Sequence, residues 1–226
     1  MISASAPSIR RRVVVFISGG GSNMVSLADA CATDSFPAEI VAVFSDKPTA
    51  GGLAKAEARG IPTFVFERKA YAGKAEHETA ILDALDAIKP DFICLAGYMR
   101  LISGEFISCY EGRMLNIHPS LLPLFAGLHT HQRAIDSGMK IAGCTVHFVT
   151  EGMDEGPIVA QAAVPVLSDD TADTLAGRIL TVEHRLYPAA LKLLAEGNVR
   201  MESGKAVFTA ATDAAIVGQR IVSAGV

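Results

Sequence analysis

The chain has 226 residues, 50% of them apolar and 19% charged, with 20 Gly and 10 Pro dispersed along it, a composition that excludes disordered, collagen-like and low-complexity classes. Twenty Lys and Arg against 24 Asp and Glu leave a net charge of -4, so no global basic field draws the protein to nucleic acid or an anionic membrane. No stretch approaches the roughly 18 apolar residues a membrane helix needs. Residues 1–11 read as a loose tail and residues 12–226 as one domain. RRVVVFIS is a first buried strand, stopped by Gly19-Gly20-Gly21, with a helix from Asn23 to Thr33. Residues 39–45 form a second strand, 53–59 a short helix closed by Gly60, and IPTFVF (61–66) a third strand. Ile81, Leu82, Leu85 and Ile88 recur at helical spacing over 74–88, and DFICLAG (91–97) is a fourth strand. A short helix over 105–110 leads to the strand within GRMLNIHPSLLP, and residues 131–137 are helical. Residues 141–150 and 157–166 are strands joined closely enough for an antiparallel pair. Asp169 or Asp170 caps a last helix from Thr171 to about Glu196. The pattern predicts an α/β fold: a single Rossmann-like domain whose mostly parallel mixed sheet carries helices on both faces.

Cysteines stand at 31, 94, 109 and 144, three within apolar runs and none in a C-x-x-C pair. They read as thiols of a reducing, cytoplasmic protein rather than a disulfide or zinc framework. His129-x-His131 lacks metal-site spacing and partners, so no metal is expected. His147, inside an apolar strand, reads as a satisfied core histidine.

Two segments carry chemistry. SGGGSN (18–23) lies between a strand and a helix, where free backbone N–H groups and the helix dipole favour an anion. The third glycine of a dinucleotide fingerprint would fall at Met24, and no Gly-Lys-Ser/Thr ending follows, so a single phosphate fits better than a pyrophosphate. A tight turn with a good cap explains the same residues without a ligand. Asn116 and His118, two apart on an extended segment, project from one face, and Pro119 holds His118 in extended backbone. An amide donor beside an imidazole suits acyl transfer: one group holds a developing oxyanion and the other moves a proton. Asp154, between Gly152 and Gly156, is the candidate third member, since a carboxylate beside His118 favours the imidazolium. From the residues alone, Asn116 and His118 are equally readable as satisfied polar groups at a strand end, and Asp154 as a turn residue. No G-x-S-x-G elbow supplies a serine nucleophile.

SGGGSN, LAGYMR (95–100), LNIHPSLLP (115–123), GLHTH (127–131), VHFVTEGMDEGPI (146–158) and EHRLYP (183–188) follow one another as in the folate-dependent formyltransferases, and residues 12–207 resemble that superfamily throughout. Within it, the N-terminal glycine turn and the length are similar to the branch that formylates glycinamide ribonucleotide in purine biosynthesis. The resemblance implies that Gly21, Ser22 and Asn23 hold the ribose phosphate and that Glu183 contacts the same substrate. It implies that Met99, Arg100, Leu101 and Ile102 line the site of 10-formyltetrahydrofolate, the co-substrate, with Lys74 at a basic position often filled by Arg. Asn116 would donate to the formyl oxygen, His118 would act as general acid, and Asp154 would orient His118. The chain departs from the pattern at Gly20, Ala126 and Glu155. The expected partners are these two small molecules, with no nucleic acid and no membrane, and a monomer or homodimer suits equally. The alternatives are a 10-formyltetrahydrofolate hydrolase, for which the phosphate turn has no use, and a non-catalytic nucleotide or folate-binding module. A tRNA-formylating relative would need a further basic domain.

Overall fold

The computed structural model describes residues 10–212. The elements run β1 (Arg11–Ile17), α1 (Ser22–Cys31), β2 (Ala38–Ser45), α2 (Gly51–Glu57), β3 (Thr63–Val65), α3 (Lys74–Ile88), β4 (Phe92–Leu95), α4 (Gly104–Cys109) and β5 (Met114–His118). They continue α5 (Thr130–Asp136), β6 (Ile141–Phe148), β7 (Ile158–Pro165), α6 (Ala172–Ala195), β8 (Val199–Glu202) and β9 (Lys205–Phe208). Seven strands form one sheet in the order β3-β2-β1-β4-β5-β6-β7. The first five are mutually parallel, and β6 and β7 pair antiparallel, which makes the sheet mixed, as expected.

Alternation along β1 explains why both faces are covered. Val13, Val15 and Ile17 join a core with Met24 and Leu27 of α1 and Tyr187 and Leu191 of α6. Val14 and Phe16 face the other way, against Ile81 and Leu85 of α3 and Phe106 of α4. Successive side chains of a strand point to opposite faces, so an unbroken apolar run needs a helical layer on each side. A third cluster joins Ala142 and Cys144 of β6 to Leu175 and Ile179 of α6. Tyr187, wholly buried, donates its hydroxyl toward the carbonyls of Leu95 and Leu115, both at 3.0 Å, and so ties α6 to the centre of the sheet.

The structure corrects four local expectations. Neither Asp169 nor Asp170 caps α6. Thr171 does, in a reciprocal box with Thr174, while Asp170 takes a bidentate pair from Arg178 at 2.7 and 2.8 Å. β3 covers only Thr63–Val65, because it is an edge strand with Phe64 and Val65 exposed. Pro62, lacking an N–H, contributes only its carbonyl, to Val43 N. Arg10 and Arg11 belong to the fold rather than to a tail: Arg11 opens β1, and the Arg10 guanidinium donates to the carbonyls of Cys31 and Ala38. The hairpin of β8 and β9 was not anticipated; it turns on Ser203 and Gly204, both at positive φ. The remainder of the expected tail, 1–9, lies outside the described residues.

Candidate active site

β1 stands between β2 and β4, and the chain leaves it toward opposite edges of the sheet. Such a switch point opens a crevice beyond the C-terminal ends of the strands. The residues singled out in the sequence follow those ends: 18–23 after β1, 98–102 after β4, and Asn116 and His118 in the last turn of β5.

The glycine turn is built for close approach. Gly21 adopts a left-handed conformation (φ 70°), and a Cβ on it would sit 2.7 Å from the Cα of Gly52 at the start of α2. Only glycine meets both conditions. Gly52 N donates to Gly19 O at 3.0 Å and Lys55 Nζ to Gly20 O at 2.8 Å, so α2 braces the turn. Asn23 does not turn its amide freely toward solvent. Its Nδ2 donates to Glu183 Oε2 at 2.7 Å, while its buried Oδ1 has no partner. Glu183 is 5% exposed, and burial raises its carboxyl above the ordinary range against the opposing effects of Asn23 and His118. This pair presents an unpaired acceptor and a buried carboxyl beside the turn, a setting for hydroxyl or amine donors of a ligand.

Asn116, His118 and Asp154 come together. Asp154 Oδ2 lies 3.3 Å from His118 Nδ1 and accepts from Gly127 N at 2.9 Å. His118 Nε2 faces the carbonyl of Phe125 at 3.1 Å. Both ring nitrogens therefore face oxygen acceptors. Asp154 sits at φ 59°, and strain of this kind in a non-glycine residue is characteristic of functional loops. Gly156 makes the approach possible, since a Cβ there would overlap the Phe148 carbonyl.

His147 joins this cluster. It is buried, as expected of a core histidine, but its register partner across the β5–β6 ladder is Asn116. Its Nδ1 lies 2.8 Å from Phe148 O and its Nε2 lies 3.1 Å from Asn116 Nδ2. With Nδ1–H donating to the carbonyl, Nε2 accepts from the amide. Burial lowers the protonation of His147 below the ordinary imidazole range, which keeps that acceptor available. The Asn116 amide is thereby oriented, and its second N–H is left for another acceptor. A register shift at Val146/His147 accompanies this aim, as bulges near sites commonly do. A histidine near the end of an apolar strand was the only sequence signal.

The cleft beyond β4 has a volume of about 310 Å³ and is lined by apolar side chains such as Phe16, Tyr98, Leu101 and Ile102, by the cations Arg68, Lys74 and Arg100, and by His77 and Glu78. Lys74 stands 3.8 Å from Glu78. Met99 is exposed and is not among the lining residues, and its N–H donates to Ser18 Oγ at 2.8 Å. Ser18 in turn donates to Asp46 at 2.5 Å, and Arg100 Nε donates to the other oxygen of Asp46 at 2.6 Å. Neither Ser18 nor Asp46 was identified as a site residue from the sequence. A Ser and an Asp just past two strand ends are indistinguishable from ordinary turn formers. His129 is the left-handed N-cap of α5.

A Rossmann-like sheet that gathers an Asn, a His and an Asp at the end of one of its strands has the groups that acyl transfer uses. Residues 11–191 match the formyl transferase family, and the chain belongs to it. It is 42% identical over 194 residues to phosphoribosylglycinamide formyltransferase of Escherichia coli (strain K12), covering 86% of this chain and 92% of that one. It is 48% identical over 197 residues to the trifunctional purine biosynthetic protein adenosine-3 of Bos taurus, covering 87% of this chain but 20% of the relative. The chain thus spans about a fifth of that longer protein. The crystal structure of phosphoribosylglycinamide formyltransferase from Brucella melitensis superposes with a TM-score of 0.80 at 72% identity, covering 82% of this chain and 96% of the other.

Proposed function

We propose that the protein transfers the formyl group of 10-formyltetrahydrofolate to the amine of N1-(5-phosphoribosyl)glycinamide, giving formylglycinamide ribonucleotide in purine biosynthesis. The observation that carries this reading is the Asn116, His118 and Asp154 cluster at the end of β5, in the same sheet as the glycine turn after β1 and next to β4, beyond which the cleft opens. Gly21, Ser22 and Asn23 bind the phosphate through backbone N–H groups at the start of α1. Glu183 and the free Oδ1 of Asn23 receive donors of the same substrate. The apolar and cationic cleft suits a flat ring system that ends in carboxylates, and supports a folate as the formyl donor. Lys74, Arg100, Leu101 and Ile102 line its wall, and Met99 contributes backbone.

The amine attacks the formyl carbon, negative charge develops on the formyl oxygen, and the bond to the donor nitrogen breaks. Asn116, held by His147, directs its second N–H at that oxygen. His118 stabilises the same charge and carries the proton that must reach the departing nitrogen, and Asp154 keeps its ring oriented. The buried thiols fit a reducing compartment, and the reading includes a cytoplasmic location. No helix among the described residues is long and apolar enough to cross a membrane.

Purified protein with both substrates should release tetrahydrofolate only when the ribonucleotide is present. Release without it would make the protein a hydrolase, and no release at all would make it a binding module. Asn116→Ala should cost about 10²–10³ in turnover and His118→Ala roughly 10²–10⁴, with the fold intact. Asp154→Asn should likewise cripple turnover. Near-normal turnover of His118→Ala overturns the assignment.

A further inference from the structure

We propose that Asp46 is a positioning residue of the donor cleft, gripping Arg100 by its Nε edge so that the remaining guanidinium fork meets a carboxylate of the bound donor. The inference rests on the functional reading above and concerns how one part of that site is built. Asp46 is the first residue past β2, and its side chain is 0% exposed while that of Arg100 is 44% exposed. Burying a carboxylate is costly unless it is paired and hydrogen-bonded. Here Oδ1 accepts from Ser18 Oγ and Oδ2 from Arg100 Nε. Ser18 Oγ also accepts from Met99 N, and Ser18 N donates to Gly97 O at 3.1 Å. One buried relay therefore holds the backbone of 97–99 and the side chain of Arg100. Because Ser18 adjoins Gly19, it anchors the donor loop to the residue that begins the glycine turn.

The three cations of the cleft differ in what remains free. Arg68 Nη1 donates to Tyr71 O, and Lys74 faces Glu78. Arg100 makes no hydrogen bond among the described residues other than the one from Nε to Asp46. Guanidinium has five N–H donors in one plane, so fixing Nε leaves the Nη1/Nη2 end preset for bidentate contact. The plane is held before the donor arrives, and less freedom is lost on binding. The donor moiety with carboxylates is the glutamate tail. The role of Asp46 should therefore show only with donors that carry that tail.

Asp46→Asn keeps the shape and one acceptor toward Ser18 but removes the charge that grips Arg100. With 10-formyltetrahydrofolate its KM should rise about tenfold, the worth of one charge-assisted hydrogen bond. Turnover number and the KM for the ribonucleotide should stay within about twofold, since neither involves this contact. With the primary amide of 10-formyltetrahydropteroate, which has neither the glutamate nor any other carboxylate, parent and variant should share one KM. Arg100→Gln should repeat the pattern, and Asp46→Asn added to it should change nothing further. Nitrogen-15 NMR of the parent, with the Arg100 Nε–H assigned by its loss in Arg100→Gln, should show that proton protected from exchange without any donor. This reading does not depend on the Asp46 variant folding. Equal KM rises for both donors, an unchanged KM with the glutamate-bearing one, or a freely exchanging Nε–H overturns the proposal. Absence of turnover in the parent would overturn the functional reading instead, which separates the two failures.

Discussion

At the scale of single residues, the site depends on groups whose ionisation the fold has altered. Burial depresses the protonation of His147, His131 and His184, so the folded protein holds them neutral where the unfolded chain would protonate them. The unfolded state then binds more protons below the ordinary imidazole value of 6.5, and the stability these groups contribute is complete above it and lost as pH falls toward their folded values. Glu183 works in the opposite sense. Its raised carboxyl binds a proton more tightly in the folded state, so stability declines as pH rises from the ordinary carboxylate value through the folded one. Denaturant titrations at about pH 7.5 and 5.5 should show the parent losing stability on acidification, with a smaller loss in His147→Asn. An equal loss in both would remove His147 from this account. Asn116, His118 and Asp154 were readable in sequence only as candidates, because an amide and an imidazole two apart on an extended segment read equally as satisfied polar groups, and a carboxylate between glycines as a turn residue. Glu183 shows what a residue-level signal looks like in a helix: it lies on the stripe of Leu175, Ile179 and Tyr187, all buried. A carboxyl on that stripe must have a polar partner, and it has one in Asn23.

At the scale of elements, glycines set how closely the pieces of the site can approach. A Cβ at Gly52 would fall 2.5 Å from Ile17 Cδ1, 3.0 Å from Gly21 Cα and 3.3 Å from Gly19 O. The Ile17 methyl can swing away, but the turn backbone cannot without displacing its N–H groups. Steady-state kinetics of Gly52→Ala should show the ribonucleotide KM raised by about tenfold or more, matching the 1–3 kcal/mol typical of overpacking, with the KM for the formyl donor little changed. Equal effects on both substrates would contradict a local displacement of the turn. Long elements buried on both faces were legible because their apolar runs have no alternative use. Shorter, half-exposed ones were not. β8 and β9 have four residues each with mixed burial, so neither alternation nor continuity exceeded the background, although Ser203-Gly204 carries the signal of a two-residue hairpin turn. The cap of α6 was misplaced for a related reason. Asp169, Asp170 and Thr171 all satisfy the local preference, and the choice fell to Thr171 because Arg178, eight residues further on, draws Asp170 into an ion pair.

At the scale of the whole molecule, a chain of net charge -4 is proposed to bind two anionic substrates. Attraction must then come from local groups: the amides of the glycine turn and the Arg100 fork. Contacts of this kind act within a Debye length and are partly shielded from solvent, so raising salt from roughly 50 to 500 mM should change either KM by no more than about threefold. A steep decline in affinity with salt would point instead to a diffuse basic field. The sequence by itself determined the alternation of strands and helices, the apolar positions of the sheet and the glycine turn, and offered Asn116, His118 and Asp154 as candidates, because propensity, periodicity and backbone restriction act over a few neighbouring residues. Only the tertiary structure decided that Asn116 is held by His147 and that Asp154 reaches His118 from another loop. The same holds for Ser18, Asp46 and Arg100, which come from three separate strand ends and meet in one buried relay. Those meetings depend on strand order and register, which bring together residues 28 to 81 positions apart in the relay, and no local property of the chain encodes which strand ends become neighbours.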